Sequence, residues 1–191
     1  MRKRRTLVGT WTIAATLAAT SISLAAPKTI INTDLKYSIA IPSECRLEEG
    51  PGTLEAICAA DLDEAKAAEL PKATAFLLEI DAEAVPSDAK PYAEAEFRQE
   101  VPEAVCGESD ATRVKITNVK IDKTDAASVI TADATCPEIK FLGLEERHAR
   151  VSYVIAPKYR YRLMTRTPAS DAAKTKTAAD NFFASFKQTA E

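Results

Sequence analysis

Hydrophobic and polar residues alternate along two neighbouring segments near the C-terminus of the chain. Over residues 149–155, and again over residues 159–164, apolar side chains recur at every second position, many of them β-branched or aromatic. This period of two is typical of a β-strand with one face in the core. The two segments therefore predict a hairpin. Because opposed residues of an antiparallel pair share a face, Ile155 is predicted to lie opposite Tyr159 or Tyr161, with a connecting loop of odd length.

Similar patterns predict the rest of a sheet. A first strand ends before Pro42, and the run Phe76-Leu77-Leu78 is typical of a central strand that is covered on both faces. Within residues 114–121 the apolar phase reverses, which predicts a β-bulge near Thr117 and Asn118. Further strands are predicted at residues 46–49, 53–59 and 127–135.

Three helices are predicted between and after these strands. The first has Asp61 as its N-cap and Glu64 as the partner in a capping box. Pro91 suits the first position of the second helix, and the last helix opens at Thr167 or Ser170. Mostly adjacent antiparallel strands with a few helices indicate an α+β domain, in which helices pack on a central antiparallel sheet of about six strands.

The four cysteines are Cys45, Cys58, Cys106 and Cys136. Their even number predicts two disulfides if the chain is exported, as the N-terminus described next indicates. Three pairings are possible, and we favour Cys45 with Cys58 and Cys106 with Cys136, since a hairpin centred on Pro51-Gly52 places the first two directly opposite each other. A metal site is disfavoured, because the sequence has no C-x-x-C pair and a single histidine.

The N-terminus has the anatomy of a secretory signal peptide. A basic stretch from Arg2 to Arg5 precedes an apolar run over residues 7–24, and Ser23-Leu24-Ala25 supplies small residues for a cleavage site. The sequence therefore predicts a signal at residues 1–25, a single α+β domain at residues 26–191 and a periplasmic or secreted product, with no stable membrane insertion after signal removal. An uncleaved membrane anchor is the alternative.

Charge is distributed unevenly along the chain. The formal net charge is −3, and removal of the four cationic residues of the signal lowers it to −7, which disfavours nucleic acid as a partner. Residues 44–110 hold 18 acidic and 5 basic side chains, whereas residues 111–191 hold 9 acidic and 14 basic ones. The two halves are predicted to complement each other across the core rather than to form separate binding patches.

The beginning and the end of the domain resemble the PsbP/Mog1-like fold. The resemblance rests on the strand Tyr37-Ser38-Ile39-Ala40-Ile41-Pro42, and on Tyr159-Arg160-Tyr161-Arg162-Leu163 followed by the helix of Phe182-Phe183-Ala184-Ser185-Phe186. It implies a central antiparallel sheet between helices, and non-enzymatic, protein-binding roles. No functional residue transfers, because the matched positions belong to the core.

The candidate binding surface is the polar face of the C-terminal hairpin. With Ile155 opposite Tyr159, this face is predicted to gather five cationic or titratable side chains, namely His148, Arg150, Arg160, Arg162 and Arg166. Arginine forks suit carboxylates and phosphates, so an anionic protein segment or cell-envelope component is the predicted partner. Alternatively, the arginines lie under a covering helix and pair with its acids, for which the helix around Glu94, Glu96 and Glu100 is the candidate.

Recognisable catalytic motifs are absent from the sequence. It contains no G-x-S-x-G, no H-E-x-x-H and no glycine-rich phosphate loop, and no cofactor is predicted. The favoured function is therefore an exported, non-enzymatic binding module that uses the arginine-rich face. The alternatives are a small periplasmic hydrolase using carboxylates or His148, and a purely structural envelope protein whose arginines pair internally.

Overall fold

The structure is a computed structural model, and it describes residues 26–86, 93–106, 113–124 and 127–189. Within these residues the chain folds as an α+β domain with a seven-stranded antiparallel sheet, a three-stranded sheet and three α-helices. The predicted fold class is confirmed, with seven strands in the main sheet rather than about six. The predicted signal peptide and Pro91 lie outside the described residues. No described helix has the length and apolar character that crossing a bilayer requires.

The domain contains ten strands and three α-helices within the described residues. The strands are β1 (Lys28–Asn32), β2 (Tyr37–Ile41), β3 (Arg46–Gly50), β4 (Thr53–Cys58), β5 (Phe76–Ala84), β6 (Lys115–Lys123), β7 (Ser128–Cys136), β8 (Arg147–Ile155), β9 (Tyr159–Pro168) and β10 (Lys187–Gln188). The helices are α1 (Glu64–Glu69), α2 (Glu94–Cys106) and α3 (Ala172–Ser185). The main sheet has the order β3-β4-β5-β9-β8-β7-β6, and the small sheet has the order β1-β2-β10.

Both faces of the main sheet carry a hydrophobic core. On one face, here called the α3 face, helix α3 and the small sheet cover a cluster that includes Phe76, Leu78, Tyr161 and Phe182. On the other, here called the α2 face, the side chains of α2 pack over the C-terminal strands β7, β8 and β9. In a strand that is covered on both sides, successive side chains point into two different cores instead of alternately into a core and into solvent.

This double coverage explains why the predicted register of the β8–β9 hairpin is wrong by one residue. Ile155 lies opposite Arg160, and Val154 lies opposite Tyr161. The hairpin closes on Ala156, whose N–H donates to the carbonyl oxygen of Tyr159 at 2.9 Å, so the turn has two residues and an even length. Both phases of each strand contain apolar residues, and the alternation alone therefore does not say which phases share a face.

Other local predictions are confirmed. Strands β3 and β4 pair antiparallel, and disulfides join Cys45 to Cys58 and Cys106 to Cys136. The register of β6 against β7 shifts between Thr117 and Lys120, and a left-handed Asn118 with φ of 53° lies inside the shift. This is the predicted bulge, at a residue type that tolerates the left-handed region.

The helix boundaries differ from the predictions. The N-cap of α1 is Asp63, not Asp61, and its side chain accepts a hydrogen bond from the backbone N–H of Lys66 at 3.2 Å. Helix α2, for which the sequence predicts an end at about Val101, continues through Pro102 to Cys106, because Val105 and Cys106 are buried in the core of the α2 face.

The last helix and two short strands also depart from the predictions. Helix α3 begins at Ala172, after a turn of 3₁₀ helix at Ala169–Asp171. Strands β1 and β10 were not predicted. Three of the five residues in β1 are exposed and the other two are half-buried, so neither a burial alternation nor a long apolar run marks it.

Removal of the Cys45–Cys58 disulfide should destabilise the fold by about 3 kcal/mol, because the bond closes a loop with a sequence separation of 13. The variant that combines Cys45→Ala with Cys58→Ala would be compared with the oxidised wild type by urea unfolding. With reductant present, the difference between the two chains should shrink to the small packing effect of the substitutions. A loss below about 1 kcal/mol under oxidising conditions would contradict the loop-entropy account.

Tyr161 links β9 to the small sheet, and its removal should be visible in the alkaline stability of the protein. Its hydroxyl donates to the carbonyl oxygen of Leu35 at 2.9 Å, and burial raises the pKa of Tyr161 to about 12. The free energy of unfolding that the protonated hydroxyl contributes is therefore fully present below a pH of about 10, the pKa of tyrosine in the unfolded chain. It is lost as the pH rises towards 12, the pKa of Tyr161 in the folded protein. Tyr161→Phe should cost about 1 kcal/mol at neutral pH and weaken this alkaline loss. Unfolding curves at a series of pH values would check both effects, and an unchanged alkaline profile would contradict the assignment to Tyr161.

Candidate functional site

The five predicted binding residues do not share a face of the sheet. With the observed register, His148 and Arg150 lie on the α3 face, and Arg160, Arg162 and Arg166 lie on the α2 face. The prediction that all five gather on one face is wrong, since it depended on a register displaced by one residue. Whether these side chains bind a partner remains a prediction.

On the α3 face, Arg150 is held between acids of two elements. Its Nη1 donates to Asp180 of α3 at 2.7 Å, and its Nε donates to Asp133 of β7 at 3.3 Å. The hydrogen bond to Asp180 is the main reason that the pKa of Arg150 is raised. His148 is exposed and has its Nε2 3.2 Å from Oε1 of Glu146. Both residues line a pocket of about 260 Å³ under α3, whose buried hydroxyls include that of Thr175.

On the α2 face, acids of β5 face the arginines of β9 across the centre of the sheet. Nη2 of Arg162 lies 2.9 Å from Oε1 of Glu79 and 3.1 Å from Oδ2 of Asp81, and Arg160 pairs with Glu83. Burial lowers the pKa of Arg162, but the nearby acidic groups outweigh it and the net shift is upward. These arginines are neutralised within the chain, as the alternative prediction requires. The acids of these three ion pairs belong to strand β5, not to the helix of Glu94, Glu96 and Glu100.

Arg166 has no such carboxylate partner within the described residues. Its Nη1 donates to the carbonyl oxygen of Val105 at 2.9 Å, close to the C-terminal end of α2. Burial, and then the charge of Arg147, lower the pKa of Arg166. The positive charge of Arg166 is therefore less compensated than that of Arg160 or Arg162.

Arg147 is the neighbour that distinguishes this end of the α2 face. It lies opposite Pro168 in the β8–β9 ladder, while Arg166 lies opposite Ala149. The two arginines are thus diagonal neighbours on one face, a relation that spans about 7–8 Å. Arg147 is 6% exposed, and no described carboxylate forms an ion pair with it.

The second disulfide positions the helix end over this pair. Cys136 lies directly opposite Arg147 in the β7–β8 ladder, and it is bonded to Cys106, the last residue of α2. The disulfide therefore holds the C-terminal turn of α2, with the carbonyl oxygen of Val105, against the strands that carry the two arginines. We call Arg147 and Arg166 the arginine pair.

Arg147 was not among the predicted binding residues, although the sequence contains a signal for it. It has the same alternation phase as Ala149, Val151 and Tyr153, which are all buried in the core of the α2 face. An arginine at the core phase of a strand is a buried cation, and a buried cation needs a partner.

A larger cavity of about 590 Å³ lies between α3 and the small sheet, with a mostly apolar lining that includes Pro27, Pro42, Leu62 and Phe182. Its size is in the range of small-molecule pockets. In the described part of the chain, no three histidine, cysteine, aspartate or glutamate residues are grouped so that they would hold a metal ion.

The fold is one that solved structures share. The solution structure of cyanobacterial PsbP (CyanoP) from Synechocystis sp. PCC 6803 is similar with a TM-score of 0.60 at 14% identity, over 88% of this chain and 95% of that chain. The crystal structure of LpqN, which is involved in cell envelope biogenesis of Mycobacterium tuberculosis, is similar with a TM-score of 0.56 at 11% identity, over 86% of this chain and 91% of that chain.

A crystal structure from Bacteroides thetaiotaomicron is also similar, with a TM-score of 0.51 at 13% identity, over 86% of this chain and 49% of that chain. No family model matches the sequence, and no curated protein matches it. At these identities the likeness shows the fold alone, and the predicted resemblance to the PsbP/Mog1-like fold is confirmed.

Arg162 and Arg160 should respond differently to loss of their charge. Arg162→Gln should destabilise the protein by about 1–3 kcal/mol, because it leaves Glu79 and Asp81 partly buried without their cation. Arg160→Gln is the matched control on the same strand face, and its more exposed pair with Glu83 predicts a loss of at most about 1 kcal/mol. Chemical unfolding of both variants would test the ranking, and an equal or reversed order would show that burial does not govern these ion pairs.

Proposed function

We propose that this protein is an exported, non-enzymatic binding module whose α2 face contacts an anionic partner. The observation that carries the proposal is the unequal neutralisation of its arginines. Arg150, Arg160 and Arg162 each form ion pairs with acids of the chain itself. No carboxylate of the described residues forms an ion pair with Arg166, on which Glu79 and Glu55 act only by longer-range attraction. The binding role predicted for the whole set is therefore centred on Arg166, at the end of α2.

An acidic protein segment is the favoured partner. The protein-binding roles implied by the PsbP/Mog1-like resemblance support a protein over a small substrate. A net charge of −7 after removal of the signal would repel an acidic segment at long range, so recognition depends on local positive charge and on desolvation. An anionic cell-envelope component that is not a protein is the competing outcome of the experiment below.

Export is part of the same proposal. The basic, apolar and small-residue regions of residues 1–25 support a signal, and the two disulfides favour an oxidising compartment such as the periplasm or the exterior. The hydrolase alternative would use carboxylates or His148. The ring of His148 lies beside Glu146 and is exposed, and no described nucleophile forms a hydrogen bond with it, so the geometry gives the His148 form of this alternative no support.

Binding of a fluorescent oligoglutamate peptide to the exported, oxidised protein would test the proposal. Arg166→Gln should weaken binding by about 10- to 100-fold, the effect of losing a charge-assisted hydrogen bond to a buried cation. Arg160→Gln, the matched control, should leave binding nearly unchanged because Glu83 already neutralises that side chain. Fluorescence anisotropy at low and moderate salt would supply the dissociation constants.

Affinity capture from a cell-envelope extract would identify the class of the natural partner. A protein that is retained by the wild type and by Arg160→Gln, but lost with Arg166→Gln and at higher salt, supports the proposal. Retention of a non-protein anion with the same dependence would replace the acidic segment by an envelope component. If Arg166→Gln binds peptide and extract as well as the wild type does, the α2 face is structural and the binding proposal fails.

A further inference from the structure

Arg147 is the one charged side chain among the described residues that is almost fully removed from solvent. It is 6% exposed, whereas the arginines of the ion pairs on β8 and β9 have side chains that are 25–40% exposed. Removing a guanidinium from water is costly unless it is paired and hydrogen-bonded. The surroundings of Arg147 therefore have to supply compensation.

The described residues do not supply this compensation. Nε and Nη2 of Arg147 are buried and have no hydrogen-bond partner in the described part of the chain. Arg162 also has a buried Nε without a partner, but its Nη2 is bonded to Glu79. Unsatisfied buried polar atoms are rare in folded proteins, and an ion or a water bound at the site is a common explanation.

Arg166 adds a second positive charge at the same place. Its one hydrogen bond within the described residues goes from Nη1 to the carbonyl oxygen of Val105, and a guanidinium has five N–H donors. Two cations on diagonal positions of one strand pair repel each other unless an anion lies between them. The end of α2 is pinned there by the Cys106–Cys136 disulfide, so the pair cannot easily separate from the helix.

We propose that Arg147 and Arg166 form a built oxyanion subsite, which binds a single carboxylate or phosphate group between the two guanidiniums. One such group neutralises both cations and accepts hydrogen bonds from the unpaired nitrogens of Arg147. Planar forks with several donors suit carboxylate and phosphate oxygens in two-point contacts. The inference rests on the proposed function, for which this subsite is the anchor of the acidic partner.

Thermal unfolding with simple anions tests the subsite without any natural partner. The exported, oxidised protein would be measured in sodium phosphate, sodium acetate and sodium chloride at matched ionic strength. Saturating phosphate or acetate should raise the Tm by about 5 °C over chloride, as expected for ligand at about 100 times its Kd. A preference for phosphate or for acetate would distinguish the two kinds of oxyanion.

Arg147→Met separates binding from folding. The substitution keeps an unbranched apolar stem and removes the buried charge, so the variant should be at least as stable as the wild type in chloride. It should lose the rise in Tm with oxyanions, whereas Arg160→Gln should keep it. If Arg147→Met does not fold, Arg166→Gln, whose side chain is less buried, provides the second test and should also lose the rise.

The oxyanion subsite is wrong if phosphate and acetate do not raise the Tm of the wild type above its value in chloride. The two proposals can fail separately. Arg166-dependent peptide binding without an effect of simple anions would keep the binding module and reject the subsite. The reverse result would keep the subsite and reject the acidic partner.

Discussion

The pairing of β5 with β9 is the interaction on which the rest of the structure depends. It is the junction at which the sheet strands from the first half of the domain, β3 to β5, join those from the second, β6 to β9. All other neighbours in the main sheet are consecutive along the chain, so they form locally, whereas this pair closes a long loop and carries its entropic cost. Along this one ladder, apolar pairs on the α3 face, such as Ile80 with Leu163, alternate with charged pairs on the α2 face, such as Asp81 with Arg162.

This junction also explains the uneven distribution of charge along the chain. The acids of β5 belong to the acidic half and the arginines of β9 to the basic half, and they meet across the sheet, as the complementary reading of the two halves predicts. Opposite charges on directly opposed positions favour one register, since a slip by one residue would place Glu79 and Asp81 on the α3 face among apolar residues. The ion pairs therefore contribute to specificity of pairing as well as to stability.

Much of the fold could be predicted because the signals for it are local. The turn at Gly52, which has a φ of 78°, and the facing cysteines determine the first hairpin, and the phase reversal near Asn118 determines the bulge. The candidate site was predicted less well. Alternation in β8 and β9 predicts one solvent-exposed and one buried face. Helices α2 and α3 cover both faces instead, so the alternating positions of the two strands can be matched in two ways. The closing pair of Ala156 with Tyr159 decided between them. The periodicity of the sequence does not determine which of the two registers forms. For this reason the sequence predicts His148 and Arg150 on the same face as arginines that lie on the opposite face in the structure.

The corrected register changes the arginine on which the binding proposal is centred. An exposed arginine with an acid beside it gains little from a further anion, because binding must first break or share an existing ion pair. A buried arginine without an acid has already lost its hydration on folding, and so an anion that reaches it gains hydrogen bonds without that cost being incurred again. By this argument a binding surface is not located where arginines are most numerous, as around Arg160 and Arg162. It is expected where burial is greatest and compensation is least, a condition that the described part of this chain meets at the end of α2, where Arg147 and Arg166 lie together under the second disulfide.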